Sequence, residues 1–107
     1  MLEIAWTASA ERDLLSIYES LFEFFIEDDA MIAKQLSAPL EEELALISTF
    51  PGIAPVLKGK VKLRRRVFGP RMRYGLYYVP EGRRILVQAI LDLRMYPKEM
   101  ERRLSEI

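Results

Sequence analysis

The sequence predicts an α+β domain of order β-α-α-β-β-β, closed by a short helix, with a helical hairpin packed on one face of a small, mainly antiparallel sheet. Three observations predict it. Apolar residues recur at helical spacing from residue 10 to about residue 50, and strand-like alternation replaces that pattern from residue 63. The connections between the later strands are too short for anything but antiparallel neighbours.

Residues 2–6, Leu-Glu-Ile-Ala-Trp, alternate and read as a short first strand. Thr7 or Ser9 then caps a helix, with Glu11 and Asp13 in its first turn complementing the helix dipole. Ala10, Leu14, Ile17, Leu21 and Phe25 form its apolar stripe, which Leu15, Tyr18 and Phe22 widen. Glu27-Asp28-Asp29 reads as the turn and cap of a second helix, whose apolar positions run from Ala33 through Leu36, Leu40 and Leu44 to Ile47. Pro39 lacks an N–H and its ring clashes one turn back, so a kink or break is expected near residues 35–39, with Ser37 capping a restart. Pro51-Gly52 stops the helix.

After a loop over residues 51–62, the strands read as Leu63–Phe68, Arg71–Val79 and Arg83–Arg94, separated by Gly69-Pro70 and Pro80-Glu81-Gly82. Pro97 opens the last helix, with Met100, Arg103 and Leu104 on one face. Strand parity assigns Ile85, Val87, Ala89, Leu91 and Leu93 to the core, together with Met72, Tyr74, Leu76 and Tyr78. The other face is then open and carries Arg64, Arg66, Arg73, Tyr77, Gln88 and Arg94. Arginine forks and tyrosine rings on such a face suit phosphates and bases, although Asp92 and Arg94 share a direction and can also pair structurally. The arginines nearest the turns, Arg71, Arg83 and Arg84, read as solvated charge that blunts the sheet.

Composition narrows the chemistry. The chain has 107 residues, half of them hydrophobic and 30% charged, which suits a single domain over residues 1–107. It has no cysteine and no histidine, which removes disulfides, thiolate chemistry, the usual zinc ligands and Ser-His-Asp machinery. No metal-ligand cluster or nucleotide-binding glycine motif occurs, so no metal and no cofactor are expected. There is no transmembrane run and no signal-peptide pattern, so a cytoplasmic protein without membrane contact is expected. The formal net charge is zero, yet residues 1–57 carry −9 and residues 58–107 carry +9. That asymmetry, with the run Lys58-x-Lys60-x-Lys62-x-Arg64-Arg65-Arg66, points to a basic surface for an anionic partner.

Ile4-Ala5-Trp6-Thr7, Asp13-Leu14 with Ile17, Phe50-Pro51-Gly52, Arg73 with Tyr77-Tyr78-Val79, and Leu91-Asp92-Leu93-Arg94 with Pro97 follow one another in an order that resembles the ParE/RelE superfamily of toxins from bacterial toxin–antitoxin pairs. The resemblance runs from Ile4 to about Leu104, and its opening is similar to the ParE branch. It implies a ParE-like inhibitor of DNA gyrase, neutralised by a cognate antitoxin, with no catalytic group. A RelE-like alternative implies a ribosome-dependent mRNA endonuclease, with Arg66, Arg73, Arg94 and Tyr96 in the catalytic positions. A non-toxic interaction module on the same fold is the third reading. Under the first reading Arg64, Arg66, Arg73, Tyr77 and Arg94 form the target or nucleic-acid surface. Phe24 and Ile26 cannot join Phe22 and Phe25 on one buried face, so they are expected partner contacts, with simple hairpin packing the other option. The oligomeric state is left open, a hetero-oligomer with the antitoxin included.

Overall fold

A computed structural model describes residues 1–107. Thr7 ends the first strand, β1 (Glu3–Trp6), and its hydroxyl accepts the Ala10 N–H at 3.1 Å, starting helix α1 (Ala8–Phe24). The helix closes in a full Schellman arrangement: Glu27 N–H reaches the Phe22 carbonyl at 2.9 Å and Ile26 N–H reaches that of Glu23 at 3.3 Å. Asp28 caps the next helix, α2 (Asp29–Ile32), by accepting the Met31 N–H at 3.1 Å.

Pro39 does not break the rod. Residues Ala33–Ser37 widen into one π-helical turn, which runs directly into α3 (Ala38–Thr49) with the proline in its first turn. The wider turn accommodates a ring that would otherwise meet the carbonyl of residue 35. The expected Ser37 cap is absent, because Ser37 is itself helical and its side chain caps nothing.

The remaining strands are β2 (Arg64–Phe68), β3 (Tyr74–Glu81) and β4 (Arg84–Asp92), and helix α4 (Pro97–Ser105) ends the fold. The sheet order is β1-β4-β3-β2, with β1 parallel to β4 and the other pairs antiparallel. The element order, and the packing of a helical hairpin on one sheet face, are as the sequence predicts. The hairpin of α1 with α2–α3 covers one sheet face, burying Phe68, Tyr74, Leu76, Tyr78, Ile85, Val87 and Ile90 against Ala10, Leu21, Ile32, Leu36, Leu40 and Ile47.

The face predicted to be open is not open. Leu63, Tyr77, Ala89 and Leu91 are buried there beneath Met100 and Leu104 of α4, with Leu57, Val79, Met95 and Ile107 around them. The cover comes from α4, and on β4 strand parity also failed, for a local reason. Tyr77 pairs with Ala89 but Tyr78 pairs with Val87, so Gln88 is an extra residue in β4. Ile85 and Val87 therefore face the hairpin, whereas Ala89 and Leu91 face α4.

The bulge lies where β1 gives way to α1, with the Thr7 N–H on the Val87 carbonyl at 3.1 Å. Beyond it β4 has no β1 partner, and the Asp13 carboxylate accepts the Ile90 N–H at 3.2 Å. Both Asp13 oxygens also accept from Arg103 of α4 at 2.7 Å. One aspartate thus joins the helical hairpin, the sheet edge and the helix on the opposite face. Lys60 completes the attachment of α4 by donating to the carbonyls of Leu104 at 2.7 Å and Ile107 at 3.1 Å.

Candidate functional site

The start of β3 and the end of β4 meet in a basic cleft. Tyr74 pairs with Asp92, and the Leu93 N–H donates to the Arg73 carbonyl at 2.8 Å, which fixes two arginines on either side of one carboxylate. Arg73 donates from Nε and Nη2 to Asp92 Oδ2, both at 3.1 Å. Arg94 donates its backbone N–H to Oδ1 at 3.0 Å, and its Nε and Nη2 reach the two carboxylate oxygens at 3.3 Å. Burial pushes the Asp92 carboxyl up, but the hydrogen bonds from Arg94 and Arg73 outweigh it and hold the group below its ordinary value. Asp92 is thus ionised at neutral pH and anchors both guanidinium groups.

Neither arginine is spent on Asp92. Arg94 remains 66% exposed. Arg73 also lies over the Tyr74 ring, 5.3 Å from its centroid, a cation–π contact that fixes its plane. The cleft they border has a volume of about 480 Å³ and is lined by Gln35, Pro70, Arg71, Met72, Arg73, Leu93 and Arg94. Three arginines against one aspartate leave it cationic. Gln35 belongs to the π-turn that Pro39 imposes, so that irregularity supplies part of the wall.

The loop before β3 is backbone-strained. Gly69 has φ 85°, which suits glycine, but Arg71 and Met72 follow with φ 59° and 53°. Two successive left-handed residues with side chains are uncommon, and such conformations concentrate at functional sites. They turn the Met72 side chain outward, 70% exposed beside the arginines.

Of the residues expected on a basic face, only Arg73 and Arg94 come together here. Arg64 and Arg66 lie on the hairpin side of β2, in step with Phe68. Arg66 is bound by Glu43 of α3 through Nε at 2.8 Å and Nη2 at 3.3 Å, and that hydrogen bond raises its pKa further. Arg64 donates to the Ala54 carbonyl and pins the loop before β2. Tyr77 is fully buried, its hydroxyl 3.7 Å from the Met100 sulfur, so its ring is closed to a base while α4 is in place. Tyr96 is 84% exposed just before α4 and contacts none of the cleft residues by hydrogen bond. Phe24 and Ile26 are exposed at the hairpin tip, 76% and 87%, with Phe24 edge-on to Phe25 at 4.9 Å.

The sequence reading missed Arg71 and Gln35 as wall residues. Arg71 read as turn charge, and its place beside the Gly69-Pro70 turn, next to Arg73, was the available signal. A second surface also went unread: an apolar groove of about 490 Å³ between β1 and α1, lined by Trp6, Glu11, Leu14, Leu15 and Tyr18.

No protein-family model matches the chain, and no curated protein matches it. Among solved structures it is similar to a chain described as the chromosomal ParDE TA system from P. aeruginosa, with a TM-score of 0.62 at 16% identity, covering 88% of this chain and 98% of that one. The likeness is one of fold, with helices packed on a four-stranded sheet. At this identity the likeness concerns the path of the chain, and the cleft, the groove and the hairpin tip are features of this sequence placed on that shared fold.

Proposed function

We propose that this protein is the toxin of a bacterial toxin–antitoxin pair, a ParE-like inhibitor that binds DNA gyrase and is neutralised in the cytoplasm by a cognate antitoxin. The observation that carries the choice of a binding inhibitor is the composition of the cleft. Its arginines can grip an anionic target, but no group suited to moving protons near neutral pH lies among them. The Tyr74 phenol is buried without a hydrogen-bond partner, and burial raises its pKa, as it does that of Tyr78. Arg73 and Arg94 are the target-binding residues in this reading, and Arg71 joins them. Arg64, Arg66 and Tyr77 keep a supporting role, holding the loop, α3 and α4 in place.

The antitoxin is assigned to the groove of Trp6, Leu14, Leu15 and Tyr18. That groove lies in the half of the chain carrying −9, which suits an amphipathic segment with basic flanks. Phe24 and Ile26 offer a separate partner surface at the hairpin tip.

The test is controlled expression in a bacterial host. Growth should stop when the chain is induced alone and resume when the adjacent reading frame of its source genome is co-expressed. Unimpaired growth at high soluble expression would sink the toxin reading in favour of an inert interaction module. Growth arrest accompanied by codon-positioned cleavage of message in a translation extract would replace gyrase with the ribosome as target.

A further inference from the structure

The chain has four non-glycine residues with positive φ, and they fall in two adjacent pairs: Ile26-Glu27 at the hairpin tip and Arg71-Met72 at the cleft. Each pair sets one exposed apolar side chain beside one charge, and the charges are opposite. Neither Glu27 nor Arg71 has a salt-bridge partner within the chain. A left-handed β-branched residue such as Ile26 is a conformational outlier, and exposing its side chain forgoes burial as well. The Schellman closure of α1 accounts for the backbone at Ile26, but an exposed apolar side chain beside an unpaired charge at both turns calls for a common reason.

Their placement supplies it. Helix α1 crosses the sheet from Thr7 beside Gln88, past Asp13 at Ile90, to Ser16 and Ser20, which share a cavity with Arg73 and Asp92. The hairpin tip therefore projects past the same end of the sheet that carries the arginine cleft. One end of the molecule presents an acidic, apolar knob (Phe24, Ile26, Glu27, Asp28) next to a basic cleft bordered by the exposed Met72. Two such surfaces related by a two-fold axis are self-complementary, because each knob meets the partner's cleft.

We infer that the occupant of this surface is a second copy of the chain, in a symmetric dimer that seats Phe24 and Ile26 against Met72 and pairs Glu27 with Arg71 across the interface. The cleft, about 480 Å³, is large enough for an aromatic side chain. The dimer covers Arg73 and Arg94, so association and anion binding exclude each other. The pairing rests on the two turns and their charges and does not depend on the gyrase reading.

Sedimentation velocity on the full chain tests it, at about 0.05 M and about 0.5 M salt, since exposed charge pairs are screened over that range. The wild type should form dimers that weaken with salt. Glu27→Arg and Arg71→Glu both alter exposed residues and keep a side chain at the strained position, so thermal melts should match the wild type. Each alone should weaken the dimer about tenfold or more, and an equimolar mixture of the two should restore it, because every cross-interface pair is again of opposite charge. A wild type that stays monomeric at low salt overturns the inference. So does a dimer indifferent to both reversals, or one that mixing fails to restore.

Discussion

Replacing Asp13 by Ala should destabilise the fold more than replacing its partner Arg103, and the structure gives the size of the difference. Arg103→Ala removes two charge-assisted hydrogen bonds at 2.7 Å but leaves the Asp13 oxygens on the Ile90 N–H. The pair keeps some contact with water, with side chains 20% and 11% exposed, so its loss should cost about 1.5–3 kcal/mol. Asp13→Ala removes the same pair and also strips the acceptor from a buried strand N–H, which adds about 1–3 kcal/mol. The expected totals are about 2 kcal/mol for Arg103→Ala and about 4 kcal/mol for Asp13→Ala, against a typical domain stability of about 5–15 kcal/mol. Urea unfolding followed by circular dichroism reads both values, and the Arg103→Ala melt should fall by about 10 °C. Equal losses for the two variants would mean that the Ile90 contact contributes nothing. Losses within about 0.5 kcal/mol of wild type would refute the three-way clamp altogether.

Leu91→Ala should destabilise by about 2–5 kcal/mol through a cavity beneath α4, measured by the same unfolding experiment, and a wild-type melt would contradict its burial. Ile26→Gly should raise stability by about 1 kcal/mol, since glycine accepts φ 49° without strain and the side chain is exposed, and it should weaken any dimer. The stability difference between wild type and Asp92→Asn should depend on pH in a defined sense. The native Asp92 pKa is depressed, so its contribution is complete above the unfolded carboxylate value of about 4 and is lost as pH falls through the lower native value. Unfolding titrations from neutral to acid pH check this, and a difference that grows on acidification would reverse the assignment.

The parts of the fold that depend on local chemistry were legible in the sequence. Thr7 and Asp28 cap the helices the periodicity marks, Pro97 opens the last helix, and the short turns enforce the antiparallel strands. On β4, strand parity carried the face assignments only as far as Gln88, because a one-residue bulge leaves no mark in an alternating apolar run and exchanges the faces beyond it. The cover that α4 lays over Tyr77 and Leu91 was also hidden: the helix is strongly charged, and its attachment runs through a long-range pair, Asp13 with Arg103, that no local spacing encodes. Asp13 read as a helix-dipole residue for the same reason.

Half of the candidate site was legible as well. Arg73 and Arg94 stood out by position, and the structure places them on one carboxylate at the cleft. Arg64 and Arg66 share the residue type but not the surroundings, since Glu43 and the Ala54 carbonyl take up their guanidinium groups. The cleft also needed Gln35, brought into the wall by the π-turn at Pro39, and Arg71, presented by a left-handed backbone. Both depend on backbone irregularities that residue type alone does not announce.

In the proposed function the arginine cleft binds gyrase and inhibits it. Supercoiling by purified gyrase, titrated with the wild-type chain and with the Arg73→Ala/Arg94→Ala double variant, tests it most directly. The wild type should inhibit, and a double variant that still folds should lose potency by at least about tenfold. Full supercoiling at every concentration of wild-type protein, or equal potency of the two proteins, would contradict it.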